Sequence, residues 1–450
     1  MKKISIYIAV LFLITACEIT DVLENDPPNN LVPENVILEE KDAEALLNGV
    51  YSLIISRVSA SYYMDYEHIP SALIGSMSRS GAGVSHDQIR ENDLLFDNSI
   101  IKNFWTAFYR VMDQANNVIT LTSEFPDNEF SGNNKAEILG EARFLRAMAT
   151  FDVLRYYGQF YDQSSNLGIV LRTEPSNFVT RSKERSTVAA CYEQILSDLD
   201  FAIENAPDFS VTFRASKTAA KALKARVLLF QGAYAEAAAL AGEVIMDGTR
   251  DLEADFASVF STGLNSSEMI FMTHRDENSD TDQNNRKRFY TGRAGTMWFE
   301  TLMTGDPRQP LTYTSITSAV GLKVNNVANF RPTYYIRLAE MYLIQAEGLA
   351  FSGATLADSK APLDIIRNRA GIGDSPALTI EDLRDDIFDE IVRELAFENG
   401  SEWFAAIRFD KAMTLKPSIT SVNQYILPIP EEEINGNGNI SLTDQNPGYE

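Results

Sequence analysis

From Asp42 onward apolar residues recur three or four positions apart, and this spacing constrains the fold most, because it commits the chain to amphipathic helices. Over residues 137–157, Ala142, Leu145, Ala149, Val153 and Tyr156 share one face, and Gly158 ends the run. After Thr187 the pattern returns in Tyr192, Ile195, Leu199, Ile203 and Ala206 until Pro207 stops it. Two adjoining runs, 218–231 and 234–247, meet at Gly232 and read as a helical hairpin, with Ala222, Ala225 and Leu229 facing Tyr234, Ala238, Ala241 and Ile245. Side chains this small let two helices approach closely, as tetratricopeptide-type units do. A second helical block starts after Pro332, with Leu338, Tyr342, Ala346 and Leu349 on one face, and continues through 361–370. Thr379 with Asp382 predicts a capping box, and Asn399-Gly400 a carboxy-terminal stop. No strict 34-residue period registers, so the expected class is all-α, with irregular tetratricopeptide-like hairpins and a loop-rich variable subdomain.

Residues 62–98 and 275–330 break the periodicity, the second most clearly over 275–309. Both are expected to be loop-rich, and loops of such length tend to carry function.

The amino terminus reads MKKISIYIAVLFLITA, two lysines ahead of an apolar stretch too short to span a bilayer, which is the pattern of a secretory signal. Small residues precede Cys17, so Ile14-Thr-Ala-Cys17 resembles a lipobox, whose cysteine is acylated and becomes the first residue after cleavage. Several acyl chains, at about 0.8 kcal/mol per buried CH₂, anchor a domain that one chain would hold marginally. The alternative is an ordinary signal with a chance cysteine at its boundary. The expected organisation is a lipoprotein signal over 1–16, an acidic Pro/Asn-rich tether over 17–41, and one helical domain over 42–450.

The formal charge of −24 argues against nucleic acid, which is gripped through basic patches, and mildly against strongly anionic polysaccharides. Two cysteines, Cys17 and Cys191, make neither a disulfide framework nor a thiolate metal site.

Ordered fragments then carry a resemblance. They begin with Trp105-Thr-Ala-Phe-Tyr109, Asn116-Asn117, Glu141-Ala-Arg-Phe-Leu-Arg146 and Tyr157-Gly158. Arg185-Ser-Thr-Val188 and the 219–226 and 265–271 segments follow, then Arg337-Leu-Ala-Glu340, Ile366-Arg-Asn-Arg-Ala-Gly371 and Glu394-Leu-Ala-Phe-Glu-Asn-Gly400. Leu427-Pro-Ile-Pro430 and Gln445-Asn-Pro-Gly-Tyr449 close the set. In this order the chain resembles the SusD/RagB family, surface lipoproteins of Bacteroidetes. The resemblance implies an all-helical, non-enzymatic binder of a glycan, or in some members a peptide. It also implies a TonB-dependent outer-membrane transporter as partner, over which the protein acts like a lid. Two departures, Asp389-Glu-Ile-Val-Arg393 and Ser401-Glu-Trp-Phe-Ala-Ala-Ile-Arg408, imply altered helix packing.

Catalytic and cofactor motifs are absent from the sequence. His68, His86 and His274 show no zinc spacing, and there is no nucleophile elbow or phosphate loop. Asp276, Asn278 and Asp280 open like a calcium loop, but Thr281 and Lys287 stand where glycine and glutamate are needed. Carboxylates abound, so a glycoside hydrolase stays open as a less favoured class, because the separation of two acids cannot be read from sequence. Glu340 and Glu347 share a helical face, with Arg337, Arg367 and Arg369 as expected ion-pair partners.

Binding finds better material. A sugar's C–H face packs on an aromatic ring while its hydroxyls need polar partners at the rim. Tyr62, Tyr63 and Tyr66 cluster in the first irregular stretch, and Phe289, Tyr290 and Trp298 in the second; Asp65, Asn92, Asn285 and Arg293 are the candidate hydrogen-bonding partners. In the opposing reading Trp298-Phe299 re-enters the core and the tyrosines line a helix end. Trp105 and Trp403 fall within helical periodicity and are expected in the core. The expected function is capture of an oligosaccharide at the outer membrane by a lipid-anchored, surface-exposed protein, with peptide capture as the runner-up.

Overall fold

The structure is a computed structural model that describes residues 36–55, 62–78, 81–273, 296–313, 323 and 333–449, and the backbone alone at 62–64. Cys17 and the signal and tether segments, apart from residues 36–41, therefore lie outside the described residues.

The first half contains α1 (Glu40–Ile55), α2 (Tyr62–Ile74), α3 (Val84–Glu91), α4 (Ser99–Glu124), α5 (Asn134–Tyr157), α6 (Val188–Asn205), α7 (Lys217–Gln231), α8 (Tyr234–Met246) and α9 (Phe256–Thr262). The second half contains β1 (Met269–Met272), α10 (Met297–Met303), α11 (Gln309–Thr312), β2 (Tyr334–Arg337), α12 (Leu338–Ser352), α13 (Leu356–Arg369), α14 (Ile380–Leu395), α15 (Ser401–Arg408), α16 (Ala412–Leu415) and α17 (Glu431–Gly436). Among the described residues the strands form one short antiparallel pair, so the fold is all-α as expected. No helix among them is long and apolar enough to cross a membrane.

Local chemistry sets several helix ends. Asn98 accepts from the amides of Ile100 and Ile101 at the start of α4, Thr187 caps α6, Ser216 caps α7, and Thr379 with Asp382 forms the expected capping box of α14. Helices α4 to α6 pack in sequence, α7 pairs with α8, and α8 lies along α12, which pairs with α13 and α14. The hairpins thus stack as irregular repeats. At the α8–α12 crossing Gly348 is required: a Cβ there would come 2.6 Å from the Tyr234 carbonyl oxygen and 2.9 Å from the Ala238 Cβ. Trp105 and Trp403 are in the core, as their spacing predicts.

Arginine–carboxylate forks fasten the stack. Arg146 donates twice to Asp198 (2.7 and 2.6 Å), joining α5 to α6; Arg226 grips Glu340 (2.6 Å for each bond), joining α7 to α12; Arg408 grips Glu347 (2.7 and 2.8 Å), joining α15 to α12. Glu340 and Glu347 are therefore ion-paired, but to Arg226 and Arg408 and not to the nearby-in-sequence arginines.

Those arginines serve a larger buried hub. Arg337 donates to Glu268, Glu394 and Glu398 (2.6, 2.6 and 2.7 Å), Arg308 to Asp306, Glu390 and Glu394, and Arg369 to Glu268 and Glu394. Lys323 pairs with Glu398 at 2.7 Å. Burial alone would raise the Glu394 carboxyl, but Arg369, Arg337 and Arg308 outweigh it and hold the group well below the usual carboxylate range.

Two expectations are corrected. Residues 62–98 hold α2 and α3 instead of one long loop. Tyr66, Ile69 and Leu73 recur at helical spacing and are buried, a signal masked by the polar Glu67 and His68, which are buried too, and by Pro70 inside the helix. The second correction is the end of α14, which stops at Leu395, before Asn399-Gly400. Phe397, Asn399 and Gly400 all take positive φ (66, 57 and 67°) in the turn into α15. Of 275–330, α10 and α11 are helical, while residues 275–295 lie outside the described residues, as do 314–322 and 324–330.

The hub yields the first prediction. Glu394→Ala leaves three buried guanidinium groups short of an acceptor and is expected to cost about 3–5 kcal/mol, measured by urea denaturation. Because the Glu394 carboxyl titrates below its ordinary value of 4.5, its contribution is complete above that pH and is lost as pH falls through the folded-state value. The difference between wild type and variant should therefore shrink only on the acid side of pH 4.5.

Candidate functional site

A ligand edge needs backbone held rigidly at the surface, and the two irregular stretches of the sequence supply one by meeting. The indole N–H of Trp298 donates to the Ile74 carbonyl at 3.2 Å, and the Thr296 hydroxyl to the Gly75 carbonyl at 2.5 Å. Gly75 takes φ +80°, and a Cβ there would lie 3.3 Å from the Thr296 methyl and 3.4 Å from the Lys416 side chain. The end of α2, the start of α10 and the segment after α16 thus converge on one glycine.

Asn92 locks the same edge from behind. In the left-handed conformation (φ 56°) it caps α3, its amide donates to the Leu73 carbonyl at 3.0 Å, its side-chain oxygen accepts from Ser418 at 2.8 Å, and its carbonyl accepts from Gln424 at 2.7 Å. Glu402 lies beneath, fully buried, accepting from the hydroxyls of Ser71 (2.7 Å) and Ser76 (2.8 Å) and the amide of Phe397 (3.3 Å). Burial pushes its carboxyl up, opposed by those hydrogen bonds and by one from its own backbone amide. Lys416 is half-buried, and desolvation lowers its ammonium pKa. Met297 is exposed beside Trp298.

The sequence-derived candidates fare differently. Tyr66 is fully buried: its hydroxyl donates to Asp152 at 2.9 Å and its ring stacks on Tyr335 at 5.4 Å between centroids, so it is a core residue and its ligand-contacting role is withdrawn. Asn92 is likewise a buried clamp. Asp65 is half-buried and meets His68 at 3.0 Å. Tyr62 and Tyr63 stand in the first turn of α2 by backbone alone. Trp298 is half-buried at the edge, and its neighbour Phe299 is wholly in the core against Tyr313 and Phe397, so the core reading holds for Phe299 and partly for Trp298. Cys17, Asn285, Phe289, Tyr290 and Arg293 lie outside the described residues. The sequence reading missed Gly75, Thr296, Lys416 and Ser418. Gly75 was the one legible signal, since a glycine after an apolar run marks a helix end.

The buried carboxylates of the hub and forks sit against guanidinium groups, including Glu340 and Glu347, which line one small concavity together with their partners Arg226 and Arg408, and Glu402 is sealed beneath α2. Among the described residues no group of three or more His, Cys, Asp or Glu side chains could hold a metal ion. Cys191 is a buried free thiol pushed up to about 11 by burial.

Comparison with known proteins follows the same lines. A family described as starch-binding associating with outer membrane matches residues 21–229, and the SusD family matches 271–416. A SusD-like protein of Bacteroides ovatus is 22% identical over 470 residues, covering 90% of this chain and 81% of its own. A SusD superfamily protein from Bacteroides thetaiotaomicron VPI-5482 superposes with a TM-score of 0.78 at 23% identity, across 91% of this chain and 100% of its own. A laminarin-binding SusD-like protein does so with a TM-score of 0.73 at 24% identity, across 91% and 100%. At these identities the structural likeness establishes the fold.

Two variants test the edge. Gly75→Ala must adopt φ +80° with a crowded Cβ and is expected to cost about 1–3 kcal/mol. It should also red-shift tryptophan emission, because Trp298 alone of the three tryptophans is half-buried. Glu402→Gln keeps an oxygen for the serines. Since the folded-state carboxyl titrates above 4.5, wild-type stability falls as pH rises through the interval above that value, and the variant should lose this slope in urea melts at successive pH values.

Proposed function

This chain belongs to the SusD/RagB family, and from that premise we propose that it captures an oligosaccharide at the cell surface and delivers it to a TonB-dependent outer-membrane transporter. The observation that carries the reading is the double family match, over 21–229 and 271–416. The first matched family is described by starch binding and outer-membrane association, and a solved protein of the same fold is described as laminarin-binding. Sugar is therefore the favoured ligand class.

The physical design fits a holder. A platform fixed by buried forks loses little conformational freedom when a ligand arrives, so more of the contact energy appears as affinity. Trp298 and Lys416 stand half-buried at the junction, where they would supply a ring and an ammonium group to a ligand. With the buried carboxylates engaged by arginines, the sugar is expected to leave chemically unchanged. Acylation at Cys17 would anchor the domain, and release into the transporter would follow from a second state that binds sugar less tightly.

A glycan array tests the binding, with the expected result that a neutral oligosaccharide binds and is recovered intact. Released reducing ends would instead establish hydrolysis, and selective retention of peptides would establish peptide capture. Co-purification from detergent-solubilised outer membranes should bring down a large β-barrel partner. Cys17→Ala should abolish labelling with radioactive palmitate and release the protein from membranes.

A further inference from the structure

A second concavity lies on α4, built from residues that the edge at Gly75 does not use. One face of that helix, at positions 102, 105, 106, 109, 110 and 113, forms the floor of a groove of about 360 Å³, within the range of small-ligand sites. The 172–176 segment makes one wall and the first turn of α17, with Pro430, makes the other.

The groove is rigid. Tyr109 packs on Trp105 at 4.6 Å between ring centroids, Trp105 meets the edge of Tyr157 at 4.9 Å, and the Tyr109 hydroxyl is fixed on the Val170 carbonyl at 3.0 Å. The first wall is pinned where the Asn116 amide donates to the carbonyls of Arg172 (3.1 Å) and Glu174 (3.0 Å), and where the Ser176 amide donates to Asp113 (2.6 Å). The second is pinned by the Glu431 amide on the Phe96 carbonyl at 2.9 Å. Three cations, Lys102, Arg110 and Arg172, are matched at the rim by three carboxylates, Asp113, Glu432 and Glu433. Lys102 meets Glu432 at 2.7 Å and Arg172 approaches Glu433 at 3.9 Å.

We propose that this groove is a second carbohydrate site, taking a short neutral oligosaccharide. The half-buried Tyr109 ring, backed by Trp105, provides the flat apolar surface for a sugar's C–H face. Around it stand three cationic donor groups and three carboxylate acceptor groups, which suits hydroxyl groups because each both donates and accepts. A charged ligand would leave one sign of this balanced rim uncompensated. An extended peptide is disfavoured by the floor: helical backbone spends its N–H and C=O groups internally and offers no strand edge to pair with.

The test uses the mature chain with laminarihexaose and maltohexaose, a β-linked and an α-linked neutral glucan fragment, and a tryptic peptide mixture soaked in parallel. Thr106 lies on the groove floor, so Thr106→Arg fills the groove, and Arg110→Ala serves as a milder rim variant. The expected result is sugar density over Tyr109 with one of the two probes. Calorimetry should find a site that Thr106→Arg weakens at least tenfold and Arg110→Ala weakens less, with circular dichroism unchanged in the milder variant. Sugar binding indifferent to both variants would overturn the groove assignment while leaving the proposed function standing. Density for peptide in place of sugar, or an empty groove with both probes, would also overturn it.

Discussion

The architecture depends on a buried electrostatic hub in which no charge is tolerable alone. Arg308, Arg337, Arg369 and Lys323 meet Glu268, Asp306, Glu390, Glu394 and Glu398 almost entirely out of water. Desolvating any one of these groups is costly, and the attraction that offsets the cost exists only when all partners arrive in register. Guanidinium forks sharpen the requirement, because a bidentate bond fixes direction as well as distance. The hub therefore specifies how α13, α14, β1, β2 and the 306–308 turn sit together, which apolar packing of alanine-rich faces would leave less determined.

Its geometry propagates to the surface edge through the turn between α14 and α15. Glu394 and Glu398 belong to the hub, Asn399 reaches Arg155, and Glu402 accepts from Ser71 and Ser76 on either side of the α2 terminus. Arg155 is itself enclosed by Asp152 and the faces of Tyr66 and Phe404. Phe397, Asn399 and Gly400 adopt left-handed backbone to make that turn, strain that the neighbouring bonds hold in place. A continuous set of bonds thus runs from the inner charges to the carbonyls that Trp298 and Thr296 engage.

Helical periodicity made the hairpins legible, since Ala222, Ala225, Ala238 and Ala241 can pack closely only if they share faces. The capping box at Thr379 was legible because its chemistry is local. Residues 62–74 were not: there the helix buries Glu67 and His68 and holds Tyr66 against the distant Asp152 and Tyr335, so polarity pointed to a loop where tertiary contacts made a helix. The same distance hid the partners of Glu340 and Glu347. Arg226 lies 114 positions from Glu340, and Arg408 lies 61 from Glu347, whereas the arginines adjacent in sequence had been drawn into the hub. The surface junction was half legible. Its two stretches stood out as irregular, but their meeting at Gly75 depends on Thr296, Lys416 and Ser418, which no short-range pattern marks.

The distribution of charge follows from the same arrangement. Arg146, Arg155, Arg226, Arg308 and Arg337 are all buried as partners of internal acids, so these pairs cancel inside and the net of −24 is carried by the rest of the chain. What remains outside is strongly acidic, a field that keeps anionic polymers away and leaves neutral ones unaffected. Against that background a groove whose rim carries equal numbers of cations and carboxylates is a local exception, and the rigid aromatic pair beneath it would be wasted on solvent.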